Sequence, residues 1–175
     1  MTTPIARPQP SEYAGYYGLY IARVPEGNIL DLLETRGEST RKFLEAIPAE
    51  RAEFRYAPGK WTTREVLRHV VDLEWVFTYR ALSFARGLTD PLPGVDQDAM
   101  MAAQAEGSRD LPALVEEFAH LRTAGVALFR SLDPGVFTRR GTASGCDFTV
   151  RAILYIIAGH AEHHIEVLRK RYLDA

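Results

Sequence analysis

In four stretches of the chain, apolar residues return with the 3.6-residue period of an amphipathic helix. The first stretch covers about 27–46. Ile29, Leu32, Leu33, Phe43 and Leu44 share one face with Arg36 and Thr40, and Pro48 follows its end. The second opens with Thr62-x-x-Glu65, a capping box in which Trp61 and Val66 form a hydrophobic staple, and Gly87 suits the position just beyond its end. Its stripe is Val66, His69, Leu73, Val76, Phe77, Arg80 and Phe84. The third stretch, about 111–132, turns Leu114, Phe118, Leu121, Gly125, Leu128 and Leu132 inward. The fourth, 149–172, begins at Thr149 as N-cap with Phe148 and Ile153 as staple, and ends in Arg169, Lys170 and Arg171, which suit the negative end of the helix dipole. Its stripe is Ile153, Ile156, Ile157, His160, His164, Val167 and Leu168.

Four long helices in 175 residues predict an all-α four-helix bundle, with the chain forming a single domain over 1–175. An N-terminal arm, about 1–26, precedes the first helix. It carries Tyr13, Tyr16, Tyr17 and Tyr20 with no clean period, which predicts an extended segment clamped over an apolar surface. The second and third helices are joined by roughly twenty residues, about 88–110, too many for a plain turn. A short helix is expected over 98–104 within it. Such a connection serves as a lid over a site, as a long crossover between parallel helices, or as both.

Composition narrows the function classes. A net charge of −2, with basic and acidic residues interspersed, gives no support for nucleic-acid or membrane-surface partners. No apolar run approaches the roughly 20 residues of a membrane span, and the first ten residues hold no apolar signal core. The one cysteine, Cys146, excludes an internal disulfide. A cytoplasmic protein is the expectation.

The candidate chemistry lies on the inward faces. His160 and His164 stand one turn apart at the centre of an apolar stripe, and His69 lies on the apolar face of the second helix. If those helices are neighbours, three imidazoles converge on one divalent ion and leave a coordination position open, the pattern of a catalytic site. The alternative is a structural bundle whose core histidines make ordinary hydrogen bonds. Glu162 faces away, His163 sits at the stripe's edge, and no general base is built into the motif, so peptide hydrolysis is a poor fit. Glu117-x-x-His120 has the spacing of a di-iron bundle, but His120 points outward and no second copy exists. Arg80 on an apolar face requires a carboxylate or a bound anion nearby. An internal pair with Asp72, Glu74 or a loop carboxylate is the favoured partner, and an anionic group of a substrate is the alternative. Cys146 near a helix start reads as a small, partly buried residue rather than a reactive thiol.

Taken in order, Trp61-Thr62-Thr63-Arg64-Glu65-Val66-Leu67-x-His69, Arg80, Leu92-Pro93-Gly94-Val95-Asp96-Gln97-Asp98 and Gly159-His160-x-x-x-His164-Ile165 resemble the DinB-like (YfiT-like) superfamily. Glu12-Tyr13-x-x-Tyr16-Tyr17-x-x-Tyr20-Ile21 is similar to one branch of it. The resemblance implies helices in up-down-down-up order with a long crossover between the second and third, a homodimer, and a metal triad carried over to His69, His160 and His164. It also implies a metal-dependent thiol S-transferase or related isomerase, acting on a low-molecular-weight thiol (bacillithiol, mycothiol or glutathione) and an electrophile. Imidazole donors suit Zn or Ni first, with Fe, Co, Cu and Mn also compatible. A non-catalytic metal-binding stress-response bundle is the competing expectation. Sequence assigns no catalytic residue beyond Arg80 as a candidate partner for a substrate anion.

Overall fold

The computed structural model describes residues 5–103 and 109–173. Its order is α1 (Gly18–Ile21), α2 (Ile29–Glu45), α3 (Thr63–Ala85), α4 (Gln97–Ala102), α5 (Leu111–Arg130), a two-stranded hairpin of β1 (Arg140–Ala143) and β2 (Cys146–Thr149), and α6 (Val150–Leu168). The four long helices, α2, α3, α5 and α6, make the bundle in the up-down-down-up order. Their starts are fixed locally. Asn28, Thr62, Asp110 and Thr149 each accept a backbone N–H in the first turn, and Thr62 and Glu65 complete a reciprocal capping box. α3 packs on α6 and α5, while α2 closes the square against α5 and α6.

The long connection after α3 is a crossover, because α3 and α5 run in the same direction. It holds the short α4, capped by Asp96, and the residue Gln104 at the predicted end of that helix lies outside the described residues. Leu92 ties the crossover to the hairpin: its N–H donates to the Thr142 carbonyl and its carbonyl accepts from Ser144 N–H, at 2.9 and 3.1 Å.

One expectation is corrected and one element is added. The tyrosine arm is not extended: 3-10 turns at Pro10–Glu12 and Gly15–Tyr17 lead into α1. It is clamped as expected, through Glu12, which accepts from Thr149 Oγ1 and Arg151 Nε at 2.7 Å each. The 140–149 stretch, which has no helical period in the sequence, is a hairpin. Its turn residues Ser144 and Gly145 have φ of 54° and 71°, the two positive values that a two-residue turn of this twist requires.

The core falls into two apolar clusters, one at each end of the bundle. The first holds Ile29, Leu33, Phe77, Phe84, Val126, Phe129, Phe148 and α6 as far as Ala158. The second holds Leu44, Val66, Leu67, Leu114, Phe118, Leu121 and α6 from Ala161. Between them every long helix contributes a polar or small buried residue: Gly37 and Thr40 from α2, Glu74 from α3, Arg122 from α5 and His160 from α6. Through Ala161, α6 is buried on nearly all faces rather than along one stripe, because arm, hairpin, α2 and α3 surround it.

Candidate metal centre

Helix geometry places the site. His160 and His164 project from the same side of α6, and His69 meets them from α3, its nearest partner in the bundle. The Nε2 atoms of His69 and His160 stand 3.1 Å apart. Ligand atoms of all three histidines lie within 4.8 Å of one another. Ligands about 2.1 Å from one ion are at most roughly 4.2 Å apart, so a small ring rotation completes a three-nitrogen set. The residues fit a metal by a second observation: His164 Nε2 is buried and has no hydrogen-bond partner. A buried orphan nitrogen is costly unless it has a partner of another kind. Three neutral nitrogen donors with no carboxylate or thiolate among them suit a borderline divalent ion such as Zn or Ni.

The surroundings keep those donors neutral. The rings of Trp61, Tyr20 and Phe77 lie 5.0, 5.3 and 5.6 Å from the nearest histidine ring centroids. Burial pushes the His69 pKa down from 6.5 to about 4, with a smaller contribution from His163. Burial also holds His160 and His164 well below the ordinary value, helped for His160 by repulsion from His164 and His69 and for His164 by repulsion from His69 and His163.

Tyr20 reaches the site through a backbone contact. A Cβ on Gly159 would lie 2.0 Å from the Tyr20 carbonyl oxygen, so only glycine lets α1 lie this close to α6. The Tyr16 and Tyr20 hydroxyls share a hydrogen bond of 2.8 Å, and Tyr20 also faces His163.

The DinB superfamily model matches residues 32–168, a span that includes all three histidines. The chain belongs to the DinB superfamily. Among solved structures, YfiT from Bacillus subtilis, described as a probable metal-dependent hydrolase with an unusual four-helix bundle topology, is similar with a TM-score of 0.71 at 20% identity over 94% of this chain and 93% of that one. A DinB-like protein from Bacillus subtilis, YjoA, is similar with a TM-score of 0.59 at 18% identity over 85% of this chain and 92% of that one. No curated protein matches.

In this DinB bundle the other candidates fall away from the triad. His120 is exposed on α5, and Glu162 accepts from Arg36 at 2.6 Å on the outer side of α6. His163 stands outside the cluster, its Nδ1 buried without a partner. Cys146 is a half-buried thiol in β2, not at the helix start. Among the described residues Arg80 makes no ion pair; of the expected partners, the loop carboxylate Glu106 lies outside the described residues. Glu74 is taken by Arg122 and Asp72 lies against Arg109, at 2.6 and 3.3 Å. Arg80 instead donates through Nη2 to the Pro93 carbonyl and to Ser144 Oγ, at 3.1 and 2.9 Å.

Sequence reasoning missed the Arg122–Glu74 pair. The available signal was Glu74 lying three residues before Phe77 and Arg122 four after Phe118, each on an apolar ridge.

Proposed function

We propose that this DinB-family chain is a metal-dependent enzyme in which His69, His160 and His164 hold a divalent ion and the open coordination position takes a low-molecular-weight thiol for transfer to an electrophile. The observation that carries the reading is the buried, partnerless Nε2 of His164, one turn from His160 and facing His69. A divalent ion supplies charge that lowers the pKa of a bound thiol, so that the nucleophilic thiolate forms near neutral pH. The chain's own part is to keep three imidazoles unprotonated, to orient them from two packed helices, and to exclude water with Trp61, Tyr20 and Phe77.

Hydrolysis is the second reading, favoured by the description of YfiT from Bacillus subtilis. It needs a group to accept a proton from water, and among the described residues no carboxylate joins the three histidines.

The test is elemental analysis of native protein together with a fluorogenic electrophile offered with bacillithiol, mycothiol or glutathione, and a nitrophenyl ester offered without thiol. Wild type is expected to carry about one ion per chain and to consume thiol. His160→Ala is expected to lose the ion and the activity while keeping the helical fold. Full metal content in His160→Ala, or ester cleavage with no thiol reaction, overturns the reading. The homodimer expectation goes with it, supported by the exposed Trp75 and Tyr79 side chains on α3. Light scattering that gives a monomer mass would remove it.

A further inference from the structure

We propose that Arg80 receives a carboxylate of the substrate, so that the molecule lies along α3 with its reacting end at the histidines and its anionic end at the guanidinium. The proposal rests on the reading of the triad as the reacting end. It starts from charge. Arg80 is only 5% exposed, and among the described residues no carboxylate lies within ion-pair distance of it. Its contacts are neutral oxygens: the Pro93 carbonyl, the Ser144 hydroxyl and the hydroxyl of Tyr17, a phenol that burial keeps protonated. Neutral acceptors are served as well by a neutral donor, and burying a cation without a counter-charge is costly. A guanidinium held there is matched by an anion that arrives from outside, and its planar fork suits a carboxylate in two-point contact.

Two further features hold Arg80 ready. Ser144 sits at φ 54° in a turn position that favours glycine or asparagine, and its hydroxyl is the one that accepts from Arg80. Glycine at this position would leave Arg80 without that acceptor. The arm lies alongside: the Tyr17 ring stands 6.2 Å from Phe77, and Phe77 stands 5.6 Å from His160. Since the Tyr17 hydroxyl meets the Arg80 guanidinium, Tyr17 and Phe77 form an aromatic wall between the guanidinium and the triad. Arg80 follows His69 by eleven residues on one helix, about 16 Å along its axis. That separation fits an elongated acid of peptide-like length and excludes a two-carbon molecule spanning both points.

The carboxylate belongs either to the thiol or to its reaction partner, and one titration separates them. The full-length protein, labelled with 15N in its arginines, is followed by the Nε–Hε signals of Arg80 and Arg122, with Arg80→Gln for assignment and Arg80→Lys in its place if that variant does not fold. In metal-free protein, sodium malonate is titrated against sodium chloride at equal ionic strength. The Arg80 signal is expected to move saturably with malonate while Arg122, already paired, stays fixed. An unmoved Arg80 signal, or equal movement of both, overturns the proposal. In zinc-loaded protein, glutathione and its diethyl ester are compared. Movement by the acid and not by the ester assigns the carboxylate to the thiol. Malonate alone moving the signal assigns it to the partner. Failure of the wild type to retain zinc removes the proposed function but leaves the malonate result standing.

Discussion

Arg80 and Arg122 are the same residue type, both 5% exposed and both on inward helix faces, yet they are built into different kinds of surroundings. Arg122 makes a two-point pair with Glu74, Nε to Oε1 at 2.6 Å and Nη2 to Oε2 at 2.9 Å, and a third bond to the Leu33 carbonyl at 3.2 Å. The Phe118 ring covers it at 5.0 Å. Its charge is cancelled inside the chain and it joins α2, α3 and α5. Arg80 is fixed by neutral oxygens of the crossover and the hairpin turn, and among the described residues no carboxylate pairs with it. Burial alone therefore does not tell a structural arginine from one directed at a ligand; the charge balance of its neighbours does.

The largest expected effect comes from unbalancing the closed pair. Arg122→Ala leaves the Glu74 carboxylate buried alone and should cost about 3–5 kcal/mol in denaturant unfolding. Replacing both partners, Glu74→Leu with Arg122→Met, should return most of that loss, as shape is kept and no charge is stranded. A double variant as unstable as the single one would count against the charge-balance account.

A smaller effect is expected at the arm. Arg151 and Thr149 hold the Glu12 carboxyl down from 4.5 to about 2, against the opposing effect of its burial. A depressed carboxyl stabilises the folded state above its ordinary value and loses that contribution as pH falls toward 2. The stake is on the order of 2–3 kcal/mol. Acid titration of stability in Glu12→Gln should show that component missing. Over the neighbouring window the histidines act in the same direction: the unfolded chain takes up protons below 6.5 while His69 resists until about 4, so metal-free stability declines as pH drops through that range. An acid limb unchanged in His69→Ala would contradict it.

The smallest change is expected at the open arginine. Arg80→Gln strands no carboxylate and should alter ligand-free stability by about 1 kcal/mol or less, the value of an ordinary hydrogen bond. A loss as large as that of Arg122→Ala would make Arg80 a structural clasp and erase the contrast.

Much of this was legible in the sequence. The Thr62–Glu65 box and the Thr149 cap are local chemistry and sit as read, and the alignment of His69, His160 and His164 follows from helical periodicity once α3 and α6 are neighbours. Other features depend on what covers what. The α6 stripe underestimates its burial because Leu154, Ala158 and Ala161 are covered by the arm and other partners, which leave no periodic mark on α6 itself. The arm's helical turns are too short to establish a period. The hairpin strands have four residues each, and Ser144-Gly145 is a weaker turn signal than Asn-Gly. Arg122 carries no sign of its burial in sequence, and Glu74 reads as a partner for Arg80, until each is seen to have the other. The same logic misdirected the reading of Arg80, since Asp72 and Glu74, two of the partners offered for it, are already engaged.

The polar belt between the two apolar clusters bears on how the bundle comes apart. Each end has its own hydrophobic interior, and among the described residues Gly37, Thr40, Glu74, Arg122 and His160 lie between them. Cooperativity between the ends therefore passes through directional contacts that can be lost one at a time, unlike a continuous apolar core. Amide exchange along α6 should divide at His160 in metal-free protein, with the segments before and after it opening at different free energies. Under the proposed function, a divalent ion held between α3 and α6 at this level should draw the two values together. A single common opening energy without metal would mean that the Glu74–Arg122 pair alone makes the bundle one unit.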